Sequence, residues 1–297
     1  MPVGVATRRG NPVLPVLSIQ SHVAYGHVGN MAAVFALQRL GHEVWPIDTV
    51  HFATHTGYGP PTGAVASAGS VRRIVERLDR EGVLARCDAV LTGYVGSADV
   101  GRAILDAVDT VRARNPAAIW CCDPVIGYAG RGPFVEAAVA AFFERNACRA
   151  DILLPNAFEL ATLTGARVRT AEDVRGASRA LLDKGVRLVV TTGVRADDGT
   201  GGRILSVAAT AAGGWAVAVP EIDLPGRPNG AGDLFAAVFL GLHLGGGAAP
   251  VALSHAAGAL HGVLQATASA GSAELAMIEA QAEIADPAFS PAPERLW

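Results

Sequence analysis

Short, almost wholly apolar runs recur along this chain, each followed by a longer segment with helical spacing. That alternation restricts the fold more than any other feature. VLPVLSI (13–19), HEVWPIDTV (42–50), DAVLTGYV (88–95), AIWCCDPV (118–125), DILLPN (151–156) and RLVVTTG (187–193) read as strands. Residues 30–40, 70–80, 98–114, 133–146 and 171–184 read as the intervening helices; in the first, Ala33, Leu37 and Leu40 fall on one side. A strand that is apolar on both faces must be covered on both. The pattern therefore predicts an α/β fold of three layers, a mostly parallel central sheet with helices on either side.

The segment GGRILSVAATAAGGWAVAVPEI (201–222) lacks helical period and reads as a hairpin followed by a further strand. Two helices, over 233–243 and about 250–267, complete the pattern; three histidines and a glycine break argue for burial there, not for a membrane span. No repeat or linker stands out, so residues 1–297 are expected to form one domain. Residues 1–12 would be a flexible N-terminal extension and 285–297 an irregular tail on the surface.

Ligands of such sheets sit at the carboxyl ends of the strands. The loops 20–29, 51–59, 93–97, 123–132, 154–159, 191–200 and 225–233 all fall at that edge. The net charge is −3, with no basic run and few aromatics, which disfavours a nucleic-acid partner. Cys87, Cys121, Cys122 and Cys148 form no C-x-x-C pair, and adjacent cysteines do not readily bridge, so a reduced, cytoplasmic protein is expected. The N-terminus has only a brief apolar run broken by prolines, and no signal peptide is read there.

The stretch PGRPNGAGDLFAAVFLGL (225–242) sets Gly230, Ala231 and Gly232 in front of Asp233 and an apolar helix. Small residues let successive N–H groups point into one space, and the helix adds its positive end. Together they form a cradle for an anion that needs no lysine, in a chain whose only lysine is Lys184. Asp233 beside it is placed to take or orient a hydroxyl proton while charge gathers on a phosphoryl group. The helix end should favour the ionised carboxylate and make it a weak base, leaving orientation as its main contribution. By itself G-x-G-D is equally consistent with a loop and a helix acid stabilised by the dipole.

Other nucleotide machinery is missing: there is no P-loop, no protein-kinase motif set, and no G-x-G-x-x-G after the first strand. GHVG (26–29) is a faint echo of that fingerprint, with Asp48 where a ribose-binding acid would stand. His51 and His55 are four apart, near His22 and His27, but no H-E-x-x-H surrounds them and a strand-to-loop setting gives no shared helix face for zinc.

NGAGDLFAA resembles the C-terminal signature of the ribokinase-like superfamily, where the aspartate is the catalytic base and the small residues an anion hole. SIQSHVAYGHVGN (18–30), DTVHFATHTGYG (48–59) and LTGYVGS (91–97) resemble pyridoxal kinases, and CDPVIG (122–127) and LPNAFEL (154–160) match that family's nucleotide and metal segments. The matches run in order over roughly residues 14 to 265. The resemblance implies ATP-dependent phosphorylation of the 5′-hydroxymethyl group of pyridoxal, and of pyridoxine and pyridoxamine, in vitamin B6 salvage.

Carried onto this sequence, it implies that Ser21 bonds the pyridine ring, Val23 lines the pocket, Thr56 lies in the loop closing over the substrate, and Tyr94 touches the ring. Asp123 would lie near the ATP phosphates and cations, and Asn156 and Glu159 would help to hold Mg²⁺, often through water. Leu154 and Thr191 would face the nucleotide, and Ala218, Val219, Pro220 and Glu221 would flank its base or ribose. Gly230, Ala231 and Gly232 would form the anion hole, with Asp233 the base. A homodimer is implied as well.

Three departures qualify this. Tyr128 stands where animal pyridoxal kinases carry an acid, which leaves monovalent-cation activation open; Leu154 replaces a threonine of some members; Pro228 and Asn229 are atypical. Two other readings follow, a hydroxymethylpyrimidine kinase of the same superfamily and a non-catalytic pyridoxal-binding regulator. The first commonly has cysteine where Asp233 stands. An enzyme holding pyridoxal phosphate as a lysine Schiff base fits poorly, because Lys184 lies at a predicted helix end away from the loops.

Overall fold

The computed structural model describes residues 13–195, 202–224, 226 and 228–297. The expected extension 1–12, the end of the 191–200 loop, and Pro225 and Arg227 lie outside the described residues. The first half runs β1 (Val16–Tyr25), α1 (Asn30–Arg39), β2 (Val44–Thr54), β3 (Gly63–Val65), α2 (Ala68–Arg80), β4 (Ala89–Thr92), α3 (Ala98–Arg114) and β5 (Ile119–Cys122). A small hairpin, β6 (Gly127–Tyr128) and β7 (Gly132–Pro133), precedes α4 (Ala137–Asn146), β8 (Ile152–Leu153), α5 (Ala157–Thr164), α6 (Ala171–Leu182) and β9 (Leu188–Arg195). The chain continues through β10 (Arg203–Thr210), β11 (Gly213–Pro220), α7 (Ala231–Leu244), α8 (Ala249–Ala270), α9 (Gln281–Ala285) and β12 (Glu294–Arg295).

Ten strands form one sheet in the order β12-β11-β10-β9-β8-β5-β4-β1-β2-β3. The centre, from β9 to β2, is parallel, and the strands beyond it on each side are antiparallel. Alternation along the strands feeds two cores. Leu17, Val90, Cys122 and Val189 face the side covered by α2 to α6, with Val108, Phe142 and Leu181. Val16, Leu91, Cys121 and Val190 face the other, with Leu37, Phe235, Phe239 and Leu253 of α1, α7 and α8. The three-layer α/β architecture expected from the apolar strands is the one observed. Among the described residues no helix is long and apolar enough to cross a membrane.

The first two strands run beyond the spans 13–19 and 42–50 that their apolar residues predict. β1 and β2 continue past the sheet's edge, pairing His22 with His51, Val23 with Phe52 and Tyr25 with Thr54. The register slips between Gln20 and His22, and Ser21 sits at that irregularity, where a local twist re-aims side chains. Asn30 pins the splayed strands: its amide donates to the Ile47 carbonyl at 3.1 Å and to Asp48 at 2.8 Å. The protruding ribbon has its own small core of Val23, Val28, Val50 and Phe52, with Tyr94 packed against it.

Two further expectations change. Residues 203–220 form the hairpin alone, because β11 continues to Pro220 without a break and no further strand is found among the described residues between it and α7. The tail is not wholly irregular: Glu294 pairs with Ala216 and Arg295 with Trp215, which covers the β11 edge, and Ser254 holds the Pro291 carbonyl at 2.6 Å.

Candidate active site

A cavity of about 860 Å³ opens at the carboxyl ends of the parallel strands. The glycine run lies at its centre. Gly230 caps α7 at φ 92, and a Cβ there would stand 1.7 Å from the His27 carbonyl oxygen, so the position admits only glycine. Because the helix starts at Ala231, its first N–H groups have no intrahelical acceptor and form the positive end of the helix. A Cβ on Gly232 would lie 3.6 Å from Asp123 Oδ2, which places that carboxylate beside the cradle.

Asp233 occupies the first turn and lines the cavity. The enclosing protein raises its pKa, and a hydrogen bond from the Gly29 N–H opposes but does not cancel that rise. The net shift is upward, which makes the acid a stronger base than a carboxylate in water. Asp123, at the end of β5, is buried, and its pKa is also raised, first by loss of water and then by the negative charges of Glu159 and Asp233. No described residue donates a hydrogen bond to its side chain. A buried carboxylate beside two like charges without a donor is unfavourable unless a cation joins it.

Glu159 and Asn156 have their polar atoms committed to the backbone. Glu159 Oε1 accepts from Ile126 N–H at 2.9 Å and Gly127 N–H at 3.3 Å, and Oε2 accepts from Asn156 N–H at 2.9 Å. Asn156 Oδ1 accepts from the N–H groups of Phe158 and Glu159, and its amide donates to the Gly127 carbonyl at 2.8 Å. The two residues form a capping box at the start of α5 that also grips the turn after Asp123. Burial pushes the Glu159 carboxyl up to about 7 despite those three amides.

Ser21, Val23, Thr56 and Tyr94 line one end of the cavity with Val28, Phe52 and Phe134. Thr49 Oγ1 donates to the Tyr94 carbonyl at 2.6 Å, and Arg131 reaches from the β6–β7 hairpin to the Thr56 carbonyl at 3.2 Å. Burial raises the Tyr94 phenol. The other end is lined by Leu154, Thr192, Gly193, Arg195, Ile204 and residues 221–224. No lysine lines the cavity among the described residues, and its one arginine, Arg195, pairs with Glu221.

Most of the expected residues meet here; four do not. Thr191 is fully buried in β9, its hydroxyl without a partner among the described residues, and its neighbour Thr192 faces the cavity instead. Successive side chains of a strand point to opposite faces, so an error of one residue reverses the side. Ala218, Val219 and Pro220 pair with β10 and lie off the cavity; only Glu221 of that group reaches it. His51 stacks on His22 at 4.8 Å, whereas His55 turns to Glu274, a residue no sequence signal singles out. Burial pushes the Cys122 thiol up to about 12, which leaves it a packing residue.

The phosphomethylpyrimidine kinase family model matches residues 62–277. Pyridoxal kinase PdxY of Rubrobacter xylanophilus is 47% identical over 276 residues, covering 92% of this chain and 94% of that protein. Pyridoxal kinase PdxY of Deinococcus radiodurans is 43% identical, covering 96% and 98%. Pyridoxal kinase from Leishmania donovani, in complex with ADP and pyridoxamine, superposes with a TM-score of 0.88 at 28% identity, covering 96% of this chain and all of that one. The shared sequence over nearly the whole length, the matching fold and the glycine cradle with its acid together place this chain in the pyridoxal kinase family.

Proposed function

We propose that this chain transfers the terminal phosphoryl of ATP to the 5′-hydroxyl of pyridoxal, with pyridoxine and pyridoxamine as further acceptors. One observation carries the reading: Asp233 and the amides of the α7 start stand between an end of the cavity walled by Ser21, Val23, Phe52 and Tyr94 and an end walled by Leu154, Thr192 and Glu221. A flat, polar ring suits the first, where an apolar wall faces a hydroxyl. A nucleotide suits the second, with its phosphates pointing back to the cradle.

Asp233 is placed to accept the acceptor's proton as the oxygen attacks, and its raised pKa makes it a stronger base. The 230–232 amides are aimed where charge builds on the moving group. Asp123 would hold Mg²⁺ together with the phosphates, and Glu159, saturated by amides, would act through water. The cation supplies neutralisation of phosphate charge. The buried, donor-free Asp123 fits that role.

The family model's matched span begins at residue 62, so of the vitamin end it takes in Tyr94 and Phe134 but not Ser21, Val23 or Thr56. A panel of pyridoxal, pyridoxine, pyridoxamine and hydroxymethylpyrimidine with ATP and Mg²⁺, read as ADP formed, tests the reading. Fastest turnover with a B6 vitamer is expected. Turnover of hydroxymethylpyrimidine alone would replace this reading, and binding without turnover would make the chain a regulator. The same reading carries a cytoplasmic homodimer, which light scattering on the eluting protein checks for assembly.

A further inference from the structure

Glu274 lies in the turn after α8, far in sequence from every group it touches, and is only 6% exposed. Its Oε1 accepts from His55 Nε2 at 2.8 Å and from the Tyr58 hydroxyl at 2.7 Å, and its Oε2 accepts from the His27 N–H at 3.1 Å. The three donors come from two segments flanking the cavity mouth, the turn after β2 and the turn after β1. A buried carboxylate is tolerated when donors surround it, so this one holds both turns by a common anchor.

The other ring nitrogen of His55 completes a bridge. Gly57 N–H donates to Nδ1 at 3.1 Å, which makes Nδ1 the acceptor and puts the ring proton on Nε2, facing Glu274. The Asn229 amide reaches the same Nδ1 at 3.2 Å, and Asn229 immediately precedes Gly230. Two glycines are shaped by the bridge. A Cβ on Gly26 would stand 2.7 Å from Glu274 Oε2, and one on Gly57 would stand 2.5 Å from Asn229 Nδ2 and 2.8 Å from the His55 ring.

We propose that Glu274 and His55 are positioning residues for the transfer reaction: they couple the Thr56–Tyr58 turn over the acceptor end to the loop that delivers the phosphoryl cradle. The inference rests on the proposed function. Holding the turn in place beforehand lowers the ordering cost of closing it on the acceptor, and the Asn229 branch keeps the cradle in register with the acceptor oxygen. Glu274 does not line the cavity, and His55 lines it with both ring nitrogens already engaged by Glu274, Gly57 and Asn229.

The test compares Glu274→Gln, Asn229→Ala and the wild type in steady-state kinetics, with hydrogen exchange on the ligand-free proteins. Glu274→Gln is expected to raise KM for pyridoxal about tenfold, the worth of one charge-assisted hydrogen bond, with KM for ATP little changed. Exchange across residues 55–59 should quicken. Asn229→Ala leaves the Glu274–His55 bond in place and should lower kcat about tenfold through cradle misplacement, with KM for pyridoxal little changed.

Where Glu274→Gln fails to fold, His55→Gln and His55→Asn replace it, the first keeping a donor toward Glu274 and the second an acceptor for Gly57. Both should raise KM for pyridoxal. Unchanged kinetic constants per folded molecule, with only a lowered unfolding midpoint, would overturn the proposal and leave the network a structural one. A wild type that forms no ADP with pyridoxal would instead sink the functional reading, while exchange over 55–59 still decides whether the dyad holds the turn.

Discussion

The backbone N–H of Gly29, at the end of the turn after β1, faces the carboxylate of Asp233 in the first turn of α7 and lowers its pKa against the effect of burial. A Cβ on Gly29 would stand 2.3 Å from Ser21 Oγ, and the residue sits at φ 53. One glycine therefore packs the acceptor-side strand against the acid that serves it. At Asp233 two effects oppose each other: burial raises the carboxyl pKa, and the Gly29 backbone lowers it by a smaller amount.

Replacing Asp233 with Asn should keep pyridoxal and ATP binding and lower kcat by roughly 10²–10⁴, the usual range for a lost general base. Turnover of ADP against pyridoxal, beside equilibrium binding of each ligand, checks it. Near-normal turnover would remove Asp233 from the chemistry.

Two glycines three residues or fewer from that acid should behave differently. Gly230→Ala meets both the left-handed φ of 92 and the His27 carbonyl. It should cost well over the ~1–2 kcal/mol of the backbone strain alone, seen as a lowered unfolding midpoint. Gly232→Ala meets only an ordinary contact with Asp123 and gains helix propensity of up to about 1 kcal/mol. It should fold at least as well as wild type yet turn over more slowly, because its methyl enters the cradle. Equal loss of stability in both would refute this account of the turn.

Thr191 and Thr192 offer a test of strand parity. Thr191→Val removes a buried hydroxyl that has no partner among the described residues and should be neutral or stabilising, by up to about 1 kcal/mol, with KM for ATP unchanged. Thr192→Val alters the cavity wall and should raise KM for ATP. The reverse pattern would mean that the strand is read one residue out of register.

Stability without metal should fall as pH rises. Burial lifts Glu159 from its ordinary 4.5 to about 7, and Asp123 shifts in the same direction. The folded chain then binds protons more tightly than the unfolded chain between those values, so the free energy of unfolding declines from about pH 4.5 to 7, by roughly 3 kcal/mol for Glu159 alone. Urea unfolding at pH 5 and pH 7.5 in chelator measures the decline. Mg²⁺ should restore stability chiefly at the higher pH, where the carboxylates it binds are ionised. A flat profile in chelator would show that the acids do not carry the strain inferred here.

The sequence by itself determined the architecture and the centre of the site. Apolar strands with no polar face can only be buried between two helical layers, and Gly230, Ala231, Gly232 and Asp233 owe their geometry to a local turn and the helix that follows. Tertiary structure alone decided the rest. Pairing with its neighbour, not the run of apolar residues, carries β1 on to Tyr25, and strand parity turns Thr192 and not Thr191 to the cavity. Glu274 meets His55 across 219 residues, a proximity no local pattern encodes, and the pKa of Asp233 rises because the folded chain buries it away from water.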